Sequence, residues 1–175
     1  MITLFDTNCN TITQESYDKM INSLQLHRVK CPSCNHSGDM SRHAFYTRHC
    51  QTEDGIIPLK ILRLICSCGH THALLLSVFV PYSRHPLFLQ AEIALKGCSD
   101  QVICSLQLRF PDLNECSVRS IYRVYRRKWR EPLISEGIIP YLSDTTLLVT
   151  ACFDRFFRQF MQIKCTPNKL FHLTT

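Results

Sequence analysis

Cys31 and Cys34 are separated by two residues, Cys66 and Cys68 by one, and 31 residues lie between Cys34 and Cys66. Thiolates are soft ligands, and two tight turns that each present two of them complete the tetrahedron that zinc prefers. The spacing predicts one Zn2+ held by Cys31, Cys34, Cys66 and Cys68. Four thiolates leave no position for water, so the ion is expected to be structural and to do no chemistry. The Cys66-Ser-Cys68 pair is tighter than the usual Cys-x-x-Cys, so His70 or His72 could stand in for one of its cysteines. Gly69, just after the pair, would let backbone amides approach the sulfurs. A redox Cys-x-x-Cys would need a strand-to-helix context that is lacking here. A zinc deaminase would need His-x-Glu, which does not occur in the sequence, and Pro32 lies inside the knuckle rather than before it.

Seven more cysteines are isolated: Cys9, Cys50, Cys98, Cys104, Cys116, Cys152 and Cys165. An odd total of 11 in 175 residues argues against a secreted disulfide scaffold. The start, Met1-Ile-Thr-Leu-Phe-Asp6, lacks the basic and apolar regions of an export signal. No apolar run approaches the roughly 20 residues that span a bilayer. These features predict a cytoplasmic protein with no membrane contact, whose isolated cysteines pack as small buried hydrophobes.

Charge is distributed unevenly. The net charge is +6, and Arg119, Arg123, Arg126, Arg127, Lys128 and Arg130 fall within one helix-length stretch that holds no acid. On the same stretch Val118, Ile121, Tyr122, Tyr125 and Trp129 recur at steps of three and four, the pattern of an amphipathic helix. The arginines occupy the opposite side, without interleaved glutamates to pair with. An arginine-rich helix that is third in a helical cluster has the layout of a recognition helix in a DNA major groove. Arginine suits that role because its planar fork binds guanine edges or phosphates with two hydrogen bonds. Ser117 and Ser120 could add contacts near the helix start, and Arg42, Arg48, Lys60 and Arg63 could contact the backbone. Double-stranded DNA is the expected partner. RNA is less favoured, because the sequence shows no aromatic platform for unpaired bases.

The elements that must position these residues can be read coarsely. Ile2 to Phe5 reads as a strand and Thr13 to Leu24 as a helix with Tyr17, Met20, Ile21 and Leu24 on one face, capped by Thr11 or Thr13. Arg42–Cys50 and Ile57–Ile65 flank the turn signal Thr52-Glu-Asp-Gly55 and predict a hairpin, with a third strand from Thr71 to Val80. Helices follow from about His85 to Gly97, from Ser99 or Asp100 to Leu108, and from Glu115 to Arg130, where Pro132 should stop the last. Ser143-Asp144 should open a final helix to about Ile163. The fold class is thus α+β: an N-terminal strand and helix (1–30), a four-cysteine zinc-ribbon hairpin (31–83), a helix-turn-helix-like module (84–131) and a C-terminal helix (132–175). That last helix, with Leu147, Leu148, Phe153, Phe156, Phe157 and Phe160, carries more apolar surface than a small core needs, and could serve self-association or a protein partner.

The run Cys31-Pro-Ser-Cys34-Asn-His, Arg42-His-Ala-Phe-Tyr-Thr-Arg48, Ile61-Leu-Arg-Leu, Cys66-Ser-Cys-Gly-His-Thr-His-Ala-Leu-Leu75 and Val80-Pro-Tyr-Ser83 resembles a bacterial family, mostly from Gram-positive organisms. Its members carry a transposase-like zinc ribbon followed by helices. The resemblance covers about residues 25 to 130 and implies the same four cysteine ligands. It carries no catalytic residue. Transposases hold paired metals with carboxylates of a ribonuclease-H-like sheet, and the 43 residues after Pro132 offer only Glu136, Asp144 and Asp154. The expectation is a non-catalytic DNA-binding protein, accessory or regulatory, linked to a mobile element. A zinc-stabilised protein-protein adaptor is the alternative.

Overall fold

The turn signal at Thr52–Gly55 closes a long antiparallel hairpin between β2 (Met40–Thr52) and β3 (Gly55–Cys66), both longer than the sequence predicts. The structure is a computed structural model that describes residues 1–5, 12–138 and 145–172. Gly55 has φ 117°, which only glycine adopts without strain, and Asp112 would lie 3.1 Å from a Cβ placed there. β3 continues antiparallel to β4 (Thr71–Leu76), which ends before the predicted Val80.

β1 (Ile2–Phe5) lies parallel to β4 on one side. On its other side, also parallel, is β5 (Lys169–His172), a strand that the sequence does not predict. The mixed five-stranded sheet has the order β2-β3-β4-β1-β5, so the two ends of the described chain are neighbours. α1 (Gln14–Ser23) is capped by Thr13, whose Oγ1 accepts from the Ser16 N–H at 3.1 Å. Thr11, the other candidate cap, lies outside the described residues. The buried Tyr17 of α1 donates its hydroxyl proton to the Leu74 carbonyl at 2.9 Å and accepts from the Leu62 N–H at 2.9 Å. It thereby ties the helix to β3 and β4.

The helical half begins at α2 (Leu87–Lys96), which Gly97 ends at φ 84°, then α3 (Asp100–Arg109) capped by Ser99, and α4 (Glu115–Val124) capped by Asn114. The predicted helix does not stop at Pro132. It passes through a π-helical turn, Tyr125–Trp129, into α5 (Arg130–Ser135). The reason lies in the apolar spacing. Ile121, Tyr125, Trp129 and Leu133 are four apart, and at about 3.6 residues per turn such a row drifts around an α-helix. The wide turn absorbs the extra residue, so Trp129 and Leu133 both stay buried. Pro132 follows the wide turn inside the continuous helix and donates no hydrogen bond back to it.

The C-terminal segment also departs from expectation. α6 (Thr145–Phe156) ends seven residues early, because Phe157 takes φ 55°, outside the helical region. Its proposed caps, Ser143 and Asp144, lie outside the described residues. Leu148, Val149, Cys152 and Phe153 are buried in the helical core, and Phe160 lies beyond the helix but inside the same core. Two apolar cores result, one under the sheet and α1, the other among the helices, and Phe88 packs against both. Arg109 of α3 joins the halves by pairing with Glu53 at the hairpin tip and Glu92 of α2, each at 2.9 Å. Among the described residues, no helix is long and apolar enough to cross a membrane.

Candidate metal centre and basic helix

The hairpin register pairs Met40 with Cys66 and thereby carries the second cysteine pair to the first. Each pair sits on a tight turn. In the first, the Cys31 N–H donates to the His36 carbonyl at 2.8 Å and the Asn35 N–H to the Cys31 carbonyl at 2.9 Å, with Asn35 at φ 67°. In the second, the Gly69 N–H donates to the Cys66 carbonyl at 2.8 Å and the Cys66 N–H to the His70 carbonyl at 3.0 Å. Gly69 takes φ 84°, so its role is to turn the chain.

The four Sγ atoms lie within 4.8 Å of one another. Cys31 and Cys68 are 3.8 Å apart, and Cys34 and Cys66 are 3.6 Å apart. A disulfide would need about 2.05 Å, and all four are free thiols. A tetrahedral ion with thiolate bonds of about 2.3 Å sets sulfur–sulfur edges of about 3.8 Å. The cluster therefore has the dimensions of a four-thiolate metal site. Burial alone would push the Cys31 thiol up. Backbone N–H groups of Cys34 and Ser33, with the neighbouring sulfurs, outweigh it and hold the Cys31 thiol lower, whereas the crowded sulfurs raise Cys34 and Cys68.

Both histidines left open as alternative ligands sit beside the sulfurs. His72 Nε2 is 3.3 Å from Cys31 Sγ, and His70 Nδ1 is 3.5 Å from Cys68 Sγ. Those are hydrogen-bonding distances, and the compact cluster within 4.8 Å consists of the four cysteine sulfurs without either ring.

The predicted DNA-contacting residues occupy α4, the π turn and the start of α5, and all six are exposed. They are not equivalent. Arg119 is held by Glu115 at 2.6 Å and Asp100 at 2.9 Å. Glu115 stands four residues before Arg119, so the face does contain one pairing carboxylate, contrary to the sequence reading. Arg123, Arg126, Arg127, Lys128 and Arg130 form no ion pair among the described residues. Arg123, Arg126 and Arg127 line a shallow depression of about 500 Å³ with Arg119, Tyr122 and Cys98.

Among the hairpin cations, Arg48 turns inward and donates to the carbonyls of Val80, at 2.7 Å, and Ser83. It is therefore not free for a backbone phosphate. Arg63 instead stacks over Tyr46 at 4.9 Å. Two aromatic features, one exposed and one half-buried, escaped the sequence reading. Tyr82, 58% exposed, carries Lys164 over its ring at 4.5 Å, and Tyr46 borders the same groove. The only sequence hint was the turn Val80-Pro-Tyr-Ser83, which reads as a boundary.

No family model, curated protein or solved structure matches this chain.

Proposed function

We propose that the protein is a non-catalytic DNA-binding protein in which one Zn2+, held by Cys31, Cys34, Cys66 and Cys68, fixes the hairpin as a zinc-ribbon scaffold. The basic helix is the duplex reader. The observation that carries this reading is the exposed row of Arg123, Arg126, Arg127, Lys128 and Arg130, which no carboxylate neutralises among the described residues. An unneutralised row of this length attracts a polyanion. α3, a connection of five residues and α4 provide a helix-turn-helix-like frame with a longer turn than usual. Zinc is preferred over softer or redox-active ions because four thiolates in a tetrahedron suit it without demanding a particular electronic geometry. An accessory or regulatory role, linked to a mobile element and played out in the cytoplasm, accords with the family resemblance of residues 25 to 130.

The test is duplex affinity as a function of salt. Five phosphate contacts correspond to a slope of log K against log salt of about −4.5. Replacing Arg123 and Arg127 by alanine should make the slope shallower by about two without changing the melting temperature. A slope near zero for the native protein ends the proposal.

A protein-protein adaptor is the second reading. Leu147 is 62% exposed and Phe157 is 79% exposed, at and just beyond the C-terminal helix. Most of the helix's apolar residues are consumed by the core, which makes this surface smaller than the sequence suggests. A mass that rises with protein concentration, without retained DNA, would select it.

A further inference from the structure

The hollow between Tyr46 and Tyr82 lies on the sheet, apart from the basic helix. It is a groove of about 380 Å³ lined by Tyr46, Arg48, Arg63, Thr71, Ala73 and Tyr82, among others, with no carboxylate in its lining. Both tyrosines have a cation over the ring, Arg63 on Tyr46 at 4.9 Å and Lys164 on Tyr82 at 4.5 Å. Planar rings beside positive charge, without acid to neutralise them, are complementary to stacked bases and phosphates. A guanidinium plane such as that of Arg63 is itself a stacking surface for a base.

The position of Tyr82 is built. The Ser83 N–H donates to the Val80 carbonyl at 3.1 Å, closing a turn in which Pro81 precedes Tyr82. Tyr82 has φ 63°, a conformation that turns of this kind ordinarily give to glycine or asparagine. A bulky residue there is strained. Arg48 holds the turn in place by donating to Val80 and Ser83, and stacks on Phe79 at 5.4 Å. A large ring is thus kept at a strained, exposed position by a partly buried arginine. Tyr82 is 58% exposed, so burial offsets little of that strain.

Tyr82 also borders a second, smaller hollow with Ser117, Ser120 and Val124 of α4. The two hollows are separate and share the Tyr82 ring as a common wall.

We propose that this groove binds unpaired nucleotides, stacking bases on Tyr46 and Tyr82 and meeting phosphates with Arg63 and Lys164. The proposal does not depend on α4 reading a duplex. If both hold, the protein would engage a junction of duplex and single strand.

The test uses the full-length, zinc-loaded protein with fluorescent oligothymidylate of 12 nucleotides and, separately, a duplex of the same length. Tyr82→Ala should weaken oligothymidylate binding at least about fivefold, the lower end for one lost stacking contact. Tyr82→Phe should retain it. Alanine and tyrosine meet similar strain at this backbone position, so the variant should fold as the native protein does. Tyr46 packs partly on the core, so Tyr46→Ala is read only if its melting temperature is unchanged. Loss of duplex binding in the Arg123→Ala, Arg127→Ala variant, with oligothymidylate binding intact, separates this site from the basic helix. Failure of oligothymidylate to bind, or equal binding by Tyr82→Ala, overturns the proposal. So does equal competition by polyglutamate, which would reduce the groove to a charge effect on acidic peptides.

Discussion

His72 Nε2 lies 3.3 Å from Cys31 Sγ, and the histidine is buried on β4. The ring's other nitrogen, Nδ1, is 3.4 Å from the Met1 amino nitrogen. An imidazole fixed in this way can donate from Nε2 to a thiolate, which stabilises the sulfur's charge without occupying the metal.

His72→Ala should therefore weaken metal affinity by about 10- to 100-fold while keeping one ion per chain. Cobalt substitution distinguishes partner from ligand. The native protein should show the absorption of a four-thiolate site and His72→Ala should keep it, whereas a native spectrum of three sulfurs and one nitrogen that changes in His72→Ala would make His72 a ligand. Cys34→Ser should alter that spectrum in either case.

Tyr17→Phe tests the link between α1 and the sheet. Its hydroxyl is buried and makes one donated and one accepted hydrogen bond, to Leu74 and from Leu62. Removing it strands a buried N–H and a buried carbonyl, at a cost of about 1–3 kcal/mol. Urea unfolding should show a lower midpoint with an unchanged slope, and an unmoved midpoint would mean that water replaces the hydroxyl.

The difference between legible and illegible features follows from range. The hairpin, α1, the starts of α2 to α4 and the two cysteine turns depend on contacts within a few residues, and their turn and capping residues stand in the sequence. β5 does not. Lys169–His172 is four residues long, half-buried, and ordered by a partner strand at Ile2–Phe5, so nothing local marks it. The π turn was hidden because a spacing of four looks helical whether or not the helix must widen to keep Trp129 inside. The cysteine expectation erred for another reason. Burial of Cys50 and Cys152 follows the general habit of thiols, but Cys104, Cys116 and Cys165 are exposed, and composition cannot separate the two groups.

Trp129 is the single tryptophan and is fully buried, with Phe156 and Phe160 edge-on at 5.7 and 5.4 Å. Its fluorescence should report the helical core directly, with blue-shifted emission when folded and a red shift on denaturation. Trp129→Ala should cost about 3–5 kcal/mol, and Trp129→Phe less. A loss below about 1 kcal/mol would show that the π turn does not anchor this core.

Acid sensitivity should have two limbs. Burial, aided by the charge of Arg84, lowers the His85 pKa from 6.5 to about 4. The unfolded chain takes up the proton first, so stability is full above about pH 6.5 and falls as pH drops from there towards 4. Glu92 acts lower. Burial would raise its carboxyl, but Lys96 at 2.6 Å and Arg109 at 2.9 Å outweigh it and hold it below the ordinary 4.5. Its contribution is lost only as pH falls below that value. Burial lowers the His72 pKa to about 4 as well, so melting temperatures between pH 8 and 3 should show a shallower upper limb in His85→Gln and lose the lower limb in Glu92→Gln. An unchanged slope between pH 6.5 and 4 in His85→Gln would remove the histidine from the account.

Thiol accessibility should separate the cysteines by chemistry as well as by burial. Cys104, Cys116 and Cys165 are exposed and should react with iodoacetamide in the native, metal-loaded protein. Burial pushes the Cys50 thiol up to about 11 and the Cys152 thiol up to about 12, so both lack thiolate as well as access and should stay unmodified until unfolding. The four clustered cysteines should behave differently again. Cys68 is exposed and Cys34 is half-buried, so access alone would let them react. Ligation to the proposed ion would instead block the lone pairs that attack the reagent. Mass spectrometry should find Cys31, Cys34, Cys66 and Cys68 protected in the loaded protein. A chelator should release them. Labelling of Cys68 at the same rate with and without chelator would mean that it does not hold the ion.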